Sequence, residues 1–276
     1  MKAQRSKLRN HTEFAAFRAT RAMVGSLGPR SLARIGSALG RLFLATSGRR
    51  REILRFNLAL AYPEKTADQR RRLAIAVSRH FGRVALDTLR LQRISKEELL
   101  DRLDVEGMEH VESAAELGRG ILYLTAHIGL WEVAALATGV LRPEKLLAVN
   151  RPLDNPLLED EVVRFRSRFG NVPLGNRNIA RAILQHLRAG GSVGFLIDQR
   201  VKPRAGVMIP FFGHPARTHT ILARIARKTA APVVPVVALW QGPGRYALTY
   251  FDPVIPDRLS EQEQQDIPLT TRFSDI

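Results

Sequence analysis

The hydrophobic positions in the first hundred residues recur at the spacing of an α-helix. One stripe is formed by Leu32, Ile35, Leu39, Leu42 and Phe43. A second stripe over residues 73–84 follows Thr66-Ala67-Asp68-Gln69, a sequence typical of a helix-capping box. Apolar residues three and four positions apart share one face of a helix. The pattern therefore predicts a mainly helical N-terminal part.

From about residue 105 the pattern changes to short apolar runs, each followed by a helical stretch. The runs, which are typical of buried strands, cover residues 121–124, 146–149, 172–174, 193–197, 233–239 and 246–251. Asn155-Pro156 is a typical helix start, and Gly190-Gly191 is a typical end for a helix that begins near residue 179. This alternation predicts an α/β fold with a mainly parallel or mixed central sheet flanked by helices.

The two patterns divide the chain near residue 104. We predict an N-terminal helical, basic, membrane-associating extension over residues 1–104 and an α/β core over residues 105–276, together forming one continuous domain. At 276 residues the chain is within the size that a single hydrophobic core can serve.

The charge of the chain is strongly positive and unevenly distributed. Lys and Arg number 43 against 26 Asp and Glu, and residues 1–50 hold eleven of the cations with one acid, Glu13. Such a field attracts anions, whether nucleic acid, anionic lipid or an acidic protein. Cysteine is absent, which excludes a disulfide framework, thiolate zinc sites and a cysteine nucleophile.

Arginines interrupt every apolar window near the N-terminus, so neither a transmembrane helix nor a secretory signal is predicted. The stripe over residues 32–43 carries Arg34, Ser37 and Arg41 on its other face. That arrangement is typical of a helix lying on an anionic bilayer. The alternative is that the stripe packs on the protein's own core.

A histidine and a glutamate interrupt the apolar segment YLTAHIGLWE. His127 follows a predicted strand and Glu132 starts the next helix, at the end of a parallel sheet where ligands bind. Glu132 can accept a hydrogen bond from one ring nitrogen and leave the other to take a proton from a hydroxyl. Alternatively, His127 is structural and Glu132 favours the helix N-terminus. No HExxH motif or histidine cluster accompanies them, so no metal site is predicted.

Five ordered segments resemble one protein family. GRGILYLTAHIGLWEVAA is similar to the H-x4-D/E motif of lysophospholipid-type acyltransferases, in the form found in bacterial lipid A biosynthesis acyltransferases of the lauroyl and myristoyl transferase kind. The other segments, in family order, are AVNRPLDNP, GGSVGFLIDQR, IPFFGHPARTHT and ARIARKTAAPVVPV. The resemblance covers about residues 50–275, without the family's N-terminal membrane helix and Trp-rich C-terminal segment.

The resemblance implies direct transfer of a fatty acyl chain from a thioester to a hydroxyl of a lipid A precursor. His127 would be the general base and Glu132 would stabilise its imidazolium. Acyl-acyl carrier protein or acyl-CoA would be the co-substrate, with no cofactor and no metal. The expected location is peripheral, at the cytoplasmic face of the inner membrane.

The resemblance also implies a set of substrate-binding residues: Asn150, Arg151, Asp198, Gln199, Arg200 and Thr218. Arg151 would hold an anionic part of a substrate, although it can equally be one surface arginine among many. Asp198 ends a predicted strand, which places it at the mouth of the site or, alternatively, makes it a turn cap. Thr218 is an equally good candidate for the N-cap of the following helix.

Two other functions remain open on the sequence. The acceptor can be a different lipid, such as a phosphatidylinositol mannoside or a lysophospholipid. The chain can also be a catalytically inactive module that binds an anionic membrane through its cationic face. A nucleic-acid partner is not expected, because no RNA- or DNA-binding signature accompanies the charge.

Overall fold

A computed structural model describes residues 6–142, 144–149, 152–174, 179–199, 201 and 206–276 of the chain. Asn150, Arg151 and Arg200, three of the predicted substrate-binding residues, lie outside this described part.

Helices dominate the N-terminal part, as predicted. They are α1 (Lys7–Gly25), α2 (Pro29–Thr46), α3 (Gly48–Ala61), α4 (Ala67–Leu91) and α5 (Lys96–Asp101). The predicted capping box is present at the start of α4, where the side chains of Thr66 and Gln69 each accept a hydrogen bond from the other residue's backbone N–H. This reciprocal pair satisfies backbone donors that the first helical turn leaves without partners.

Glycines set the packing of α2 on α4. A Cβ atom on Gly36 or Gly82 would lie 2.6 Å or less from a backbone oxygen of the other helix, and a Cβ on Gly40 would lie 2.0 Å from the Ser78 carbonyl. Only hydrogen atoms fit at these positions, so the two helix backbones approach closely. Of the predicted apolar stripe on α2, Leu32 is fully buried, whereas Ile35 and the three residues that follow it in the stripe are exposed.

A mixed seven-stranded sheet forms the centre of the molecule. Its strands are β1 (Leu103–Glu106), β2 (Ile121–Thr125), β3 (Leu146–Val149), β4 (Val172–Leu174), β5 (Ser192–Leu196), β8 (Val233–Gly242) and β9 (Arg245–Tyr250). Their order across the sheet is β1-β9-β8-β2-β5-β3-β4. All neighbours are parallel except β8 and β9. A separate antiparallel hairpin consists of β6 (Gly206–Phe211) and β7 (His214–His219).

The further α-helices of the described residues are α6 (Met108–Ala115), α7 (Trp131–Leu141), α8 (Pro156–Arg166), α9 (Ile179–Arg188), α10 (Ile221–Thr229) and α11 (Asp266–Ser274). The predicted fold class is confirmed. β1 and the β6–β7 hairpin were not predicted. Residues of β1 alternate between half-buried and exposed, and each hairpin strand has one buried residue, unlike the continuous apolar runs of the central strands.

The buried apolar residues form two large clusters. One includes Leu122, Leu187, Leu222 and Phe273. The other joins Val84 of α4 and Leu99 of α5 to Tyr123 and Val234 of the sheet. The N-terminal helices thus share a core with the sheet, and the division at residue 104 stays a prediction. No helix in the described part of the chain has the length and apolar character needed to cross a membrane.

Candidate active site

The register of two neighbouring strands brings His127 and Asp198 together. β2 and β5 are parallel, and their last residues, Thr125 and Leu196, are paired. His127 and Asp198 each come two residues after that pair in the chain. Because parallel strands keep the same direction, equal offsets from a registered pair end at the same edge of the sheet. This edge is the one where open α/β sheets bind ligands.

Asp198 holds both the ring and the backbone of His127. Its Oδ1 lies 2.8 Å from the ring Nδ1, and its Oδ2 accepts a hydrogen bond of 3.0 Å from the His127 backbone N–H. A carboxylate beside Nδ1 favours the tautomer that carries its proton there. The Nε2 of His127 is then left with a lone pair that can take a proton from a substrate.

The side chain of Gln199 lies against the imidazole ring. Its amide nitrogen lies 3.1 Å from Nε2 of His127 and 3.4 Å from Nδ1, close to both ring nitrogens. Gln199 is exposed, and the His127 side chain retains 32% of its accessible surface, so both can meet a ligand from solvent.

Glu132 has a different partner from the one predicted. Both of its carboxylate oxygens accept hydrogen bonds from the Arg166 guanidinium, at 2.5 and 3.1 Å. No hydrogen bond between Glu132 and the His127 ring is present among the contacts of the described residues, so the predicted pairing of these two side chains is wrong.

Burial explains the pairing of Glu132 with Arg166. The Glu132 side chain is only 10% exposed, at the start of α7, and Arg166 at the end of α8 is largely covered. Burial is the largest single effect and disfavours the guanidinium charge, but the hydrogen bonds to Glu132, together with the negative charges of Glu132 and Glu159, outweigh it and raise the pKa of Arg166. A buried cation requires an acid in contact with it, and Glu132 meets that need. Sequence reasoning missed Arg166 because nothing in its local pattern marks it.

The loop between β2 and α7 is anchored on β8. Gly129 has a φ of 56°, and a Cβ atom there would lie 2.1 Å from the Ala238 carbonyl oxygen. The next residue, Leu130, donates its backbone N–H to the same oxygen at 2.7 Å. The Trp131 ring contacts the His127 ring edge-on at 5.1 Å between centroids. These contacts fix the position of the imidazole.

Thr218 lies in β7, where it is buried and paired with Val207 of β6. The alternative that it caps the following helix is wrong, since α10 begins at Ile221 and its N-cap position is Thr220. Its predicted substrate contact stays a prediction. In the described part of the chain, no group of three or more His, Cys, Asp or Glu side chains is placed to hold a metal ion.

Several known proteins are similar in sequence to this chain over most of its length. It is 29% identical to the lipid A biosynthesis lauroyltransferase of Escherichia coli over 83% of this chain and 75% of that protein. It is 27% identical to the E. coli palmitoleoyltransferase over 64% and 57%. It is also 29% identical to the phosphatidylinositol mannoside acyltransferase of Mycobacterium tuberculosis over 70% and 62%. The chain thus spans less than two thirds of the length of the latter two relatives.

A family model described as bacterial lipid A biosynthesis acyltransferase matches residues 2–269. The match begins earlier than the resemblance seen by motif, which started near residue 50, and it includes the helices α1 to α3. Since nearly the whole chain is matched, the chain belongs to the bacterial lipid A biosynthesis acyltransferase family.

Proposed function

We propose that this protein transfers a fatty acyl chain from a thioester to a hydroxyl group of a lipid A precursor, with His127 as the general base. Its family makes it an O-acyltransferase that acts on lipid acceptors. The observation that carries the mechanism is the hydrogen bond between Asp198 and Nδ1 of His127, which leaves Nε2 as the basic nitrogen.

In the proposed reaction, Nε2 of His127 takes the proton of the acceptor hydroxyl while the oxygen of that hydroxyl attacks the thioester carbonyl carbon. The carbon–oxygen bond forms, the carbon–sulfur bond breaks, and the departing sulfur takes the proton back from the imidazolium. Asp198 stabilises the imidazolium charge between these steps. The transfer is direct, so no covalent acyl-enzyme forms.

Gln199 lies beside the proposed base. Its amide nitrogen is 3.1 Å from Nε2 and 3.4 Å from Nδ1 of His127, so it lies against the ring and leaves the in-plane lone pair of Nε2 to the acceptor hydroxyl. We propose that the amide donates to an oxygen of the bound substrate. A donor so placed can stabilise the negative charge that develops on the thioester oxygen.

Asn150, Arg151 and Arg200 are proposed to bind substrate next to this pair. In the chain they follow β3 and β5, two adjacent parallel strands whose carboxyl ends share the edge that carries His127. We assign Arg151 to an anionic group of a substrate, because its planar guanidinium matches phosphate oxygens. Thr218 is kept as a further candidate for substrate contact.

We propose that the acyl donor is acyl-acyl carrier protein or acyl-CoA. We also propose that the protein is peripheral and lies at the cytoplasmic face of the inner membrane, with no membrane-spanning helix among the described residues. A net charge of +17 supports both, since acidic carriers and anionic bilayers are attracted by a cationic surface. The likeness to the mycobacterial enzyme supports a second acceptor, a phosphatidylinositol mannoside. Product analysis by mass spectrometry with both acceptors distinguishes the two.

Substitution of the histidine tests the mechanism. His127→Ala is expected to lower kcat by between about 10²- and 10⁴-fold, the range that general-base catalysis supplies. The matched control is His110→Ala, which removes another ring paired with a carboxylate, since His110 Nδ1 lies 3.2 Å from Asp252. A folded His127→Ala protein with unchanged turnover would overturn the proposed function.

A further inference from the structure

A groove lined by arginines runs between α2 and α4, apart from His127 and Asp198. Its cavity volume is about 590 Å³, and its walls include Arg30, Arg34 and Arg41 of α2, Arg79 and Arg83 of α4, and Pro243 from the β8–β9 turn. We call this feature the arginine groove. None of its described lining residues is acidic.

The close packing of the two helices brings these arginines together. Gly36 contacts the backbone at Gly82 and Arg83, and Gly40 contacts it at Ser78 and Arg79, so the guanidinium-bearing positions of α4 flank the contact line. On α2, Arg30, Arg34 and Arg41 fall within an arc of about 40° at 100° per residue. Five like charges are therefore gathered along one side of a glycine-lined helix contact.

Gathering these charges is unfavourable unless an anion is present. Burial, followed by the neighbouring Arg79, lowers the pKa of Arg83. Arg83 Nε is also buried and has no hydrogen-bond partner among the described residues. The negative charge of Asp87 offsets part of the repulsion on Arg83, but that charge also acts on Arg90 and Arg102. The Trp240 ring, 4.3 Å from the Arg83 guanidinium, holds the group in place without supplying a negative charge.

Exposed apolar side chains lie on other sides of the same helix. Ile35, Leu39, Leu42 and Phe43 are 38%, 49%, 58% and 58% exposed. Ile35 and Leu42 lie roughly a quarter to a third of a turn round α2 from the arginines, whereas Leu39 and Phe43 lie roughly on the opposite side. This arrangement lets Ile35 and Leu42 enter the lipid chains while the long arginine side chains reach the headgroups.

We propose that the arginine groove binds the phosphate groups of anionic phospholipid headgroups and thereby docks the protein on a bilayer. The groove is concave, which lets several guanidiniums donate hydrogen bonds to the oxygens of one phosphate group. An acidic protein is disfavoured as the occupant, because the flanking apolar side chains on α2 match lipid chains and not a charged surface. This inference goes beyond the acyl-transfer proposal and holds whichever lipid is the acceptor.

Binding to vesicles tests the groove. The variant Arg34→Gln/Arg41→Gln/Arg79→Gln removes three exposed lining arginines, none of which takes part in the proposed reaction. Flotation with phosphatidylcholine vesicles that contain phosphatidylglycerol is expected to show roughly 100-fold weaker binding, as three arginines near an anionic surface supply. Vesicles of phosphatidylcholine alone are expected to bind the unmodified protein weakly.

The matched control removes the same charge elsewhere. Arg181→Gln/Arg188→Gln/Lys228→Gln changes three exposed cations on α9 and α10. We expect this variant to bind anionic vesicles within about threefold of the unmodified protein, because charges beyond a Debye length of the bilayer are screened. Equal losses in both variants would show diffuse attraction and overturn the proposal, as would unchanged binding of the groove variant.

Two further measurements distinguish membrane docking by the groove from binding of an acidic protein and from a direct part in the reaction. If the groove variant loses affinity for purified acyl carrier protein and keeps its affinity for vesicles, the occupant is an acidic protein and the proposal is wrong. With an acceptor dispersed in neutral detergent, the groove variant is expected to keep its kcat, whereas turnover on anionic vesicles falls. Loss of activity in both conditions would place the groove in the reaction itself and contradict the docking role.

Discussion

At the scale of single residues, the key side chains are held by partners far away in the chain. His127 is hydrogen-bonded to Asp198, 71 positions later, and Glu132 to Arg166, 34 positions later. Two carboxylates near one histidine thus have separate roles: one orients the proposed base and the other neutralises a buried cation. Substitution of each can tell these roles apart.

Asp198→Asn is expected to lower kcat by about 10²-fold or more, with a smaller change in KM. The amide retains the shape of the side chain but supplies no negative charge to stabilise the imidazolium. Steady-state kinetics of acyl transfer measures the effect. Asp252→Asn, which alters the carboxylate beside His110, is the control and should leave kcat unchanged. Equal kcat values for Asp198→Asn and the unmodified protein would contradict the role of Asp198.

Glu132→Gln is expected to act on stability first. It removes the charge that is hydrogen-bonded to the largely covered Arg166, which costs about 1 to 3 kcal/mol of unfolding free energy. Denaturant unfolding measures this loss. The double variant Glu132→Leu/Arg166→Met removes both charges and should recover much of it. If Glu132→Gln were as stable as the unmodified protein yet inactive, Glu132 would instead act in the reaction.

At the scale of elements, two contacts position the functional surfaces. The parallel pairing of β2 with β5 places His127 beside Asp198, and the close approach of α2 to α4 gathers the groove arginines. Each contact depends on backbone geometry and not on the functional side chains themselves. A substitution at the contact between α2 and α4 therefore tests the packing of the helices without changing the arginines of the groove.

Gly40→Ala is expected to lower the unfolding free energy by about 1 to 3 kcal/mol. The added methyl group would lie 2.0 Å from the Ser78 carbonyl oxygen, so the helices must separate, and overpacking of this kind is costly. Gly48→Ala, at the start of α3, is the matched control because nothing lies within 4 Å of the added atom. There the better helix propensity of alanine should leave stability equal or slightly higher. Similar losses in both variants would rule out the close-contact explanation.

At the scale of the whole molecule, charge and burial compete. The chain carries a net charge of +17, yet it buries the Asp87 carboxyl in α4 beneath several arginines. Burial is the larger effect and raises the pKa of Asp87 from 3.8 to about 6. The folded protein therefore holds this proton more tightly than the unfolded chain does.

This shift makes stability depend on pH. Between about pH 4 and pH 6 the unfolded chain loses the Asp87 proton first, so the contribution of this group to folding falls as pH rises. Asp87→Asn has no proton to lose. Relative to the unmodified protein, its unfolding free energy should rise by about 2 kcal/mol between pH 4 and pH 7. Denaturant unfolding across this range checks it, and a constant difference would refute it.

Local patterns predicted a large part of the fold. The bounds of β3 and β4 agree with the predicted runs, and the start of α8 at Asn155-Pro156 and the capping box of α4 are confirmed. Caps, helical stripes and buried strands depend on neighbouring residues and are therefore visible in a single sequence. The β6–β7 hairpin escaped prediction because its exposed residues carry no such signal.

Composition and local spacing were enough to predict the class of the fold, the cationic character and the histidine at the end of β2. The folded arrangement was needed to show that Asp198 and not Glu132 holds that histidine, that Glu132 pairs with Arg166, and that five arginines share one groove. These contacts join segments far apart in the chain. Strand register and helix packing select them, and neither is set by residues adjacent in sequence.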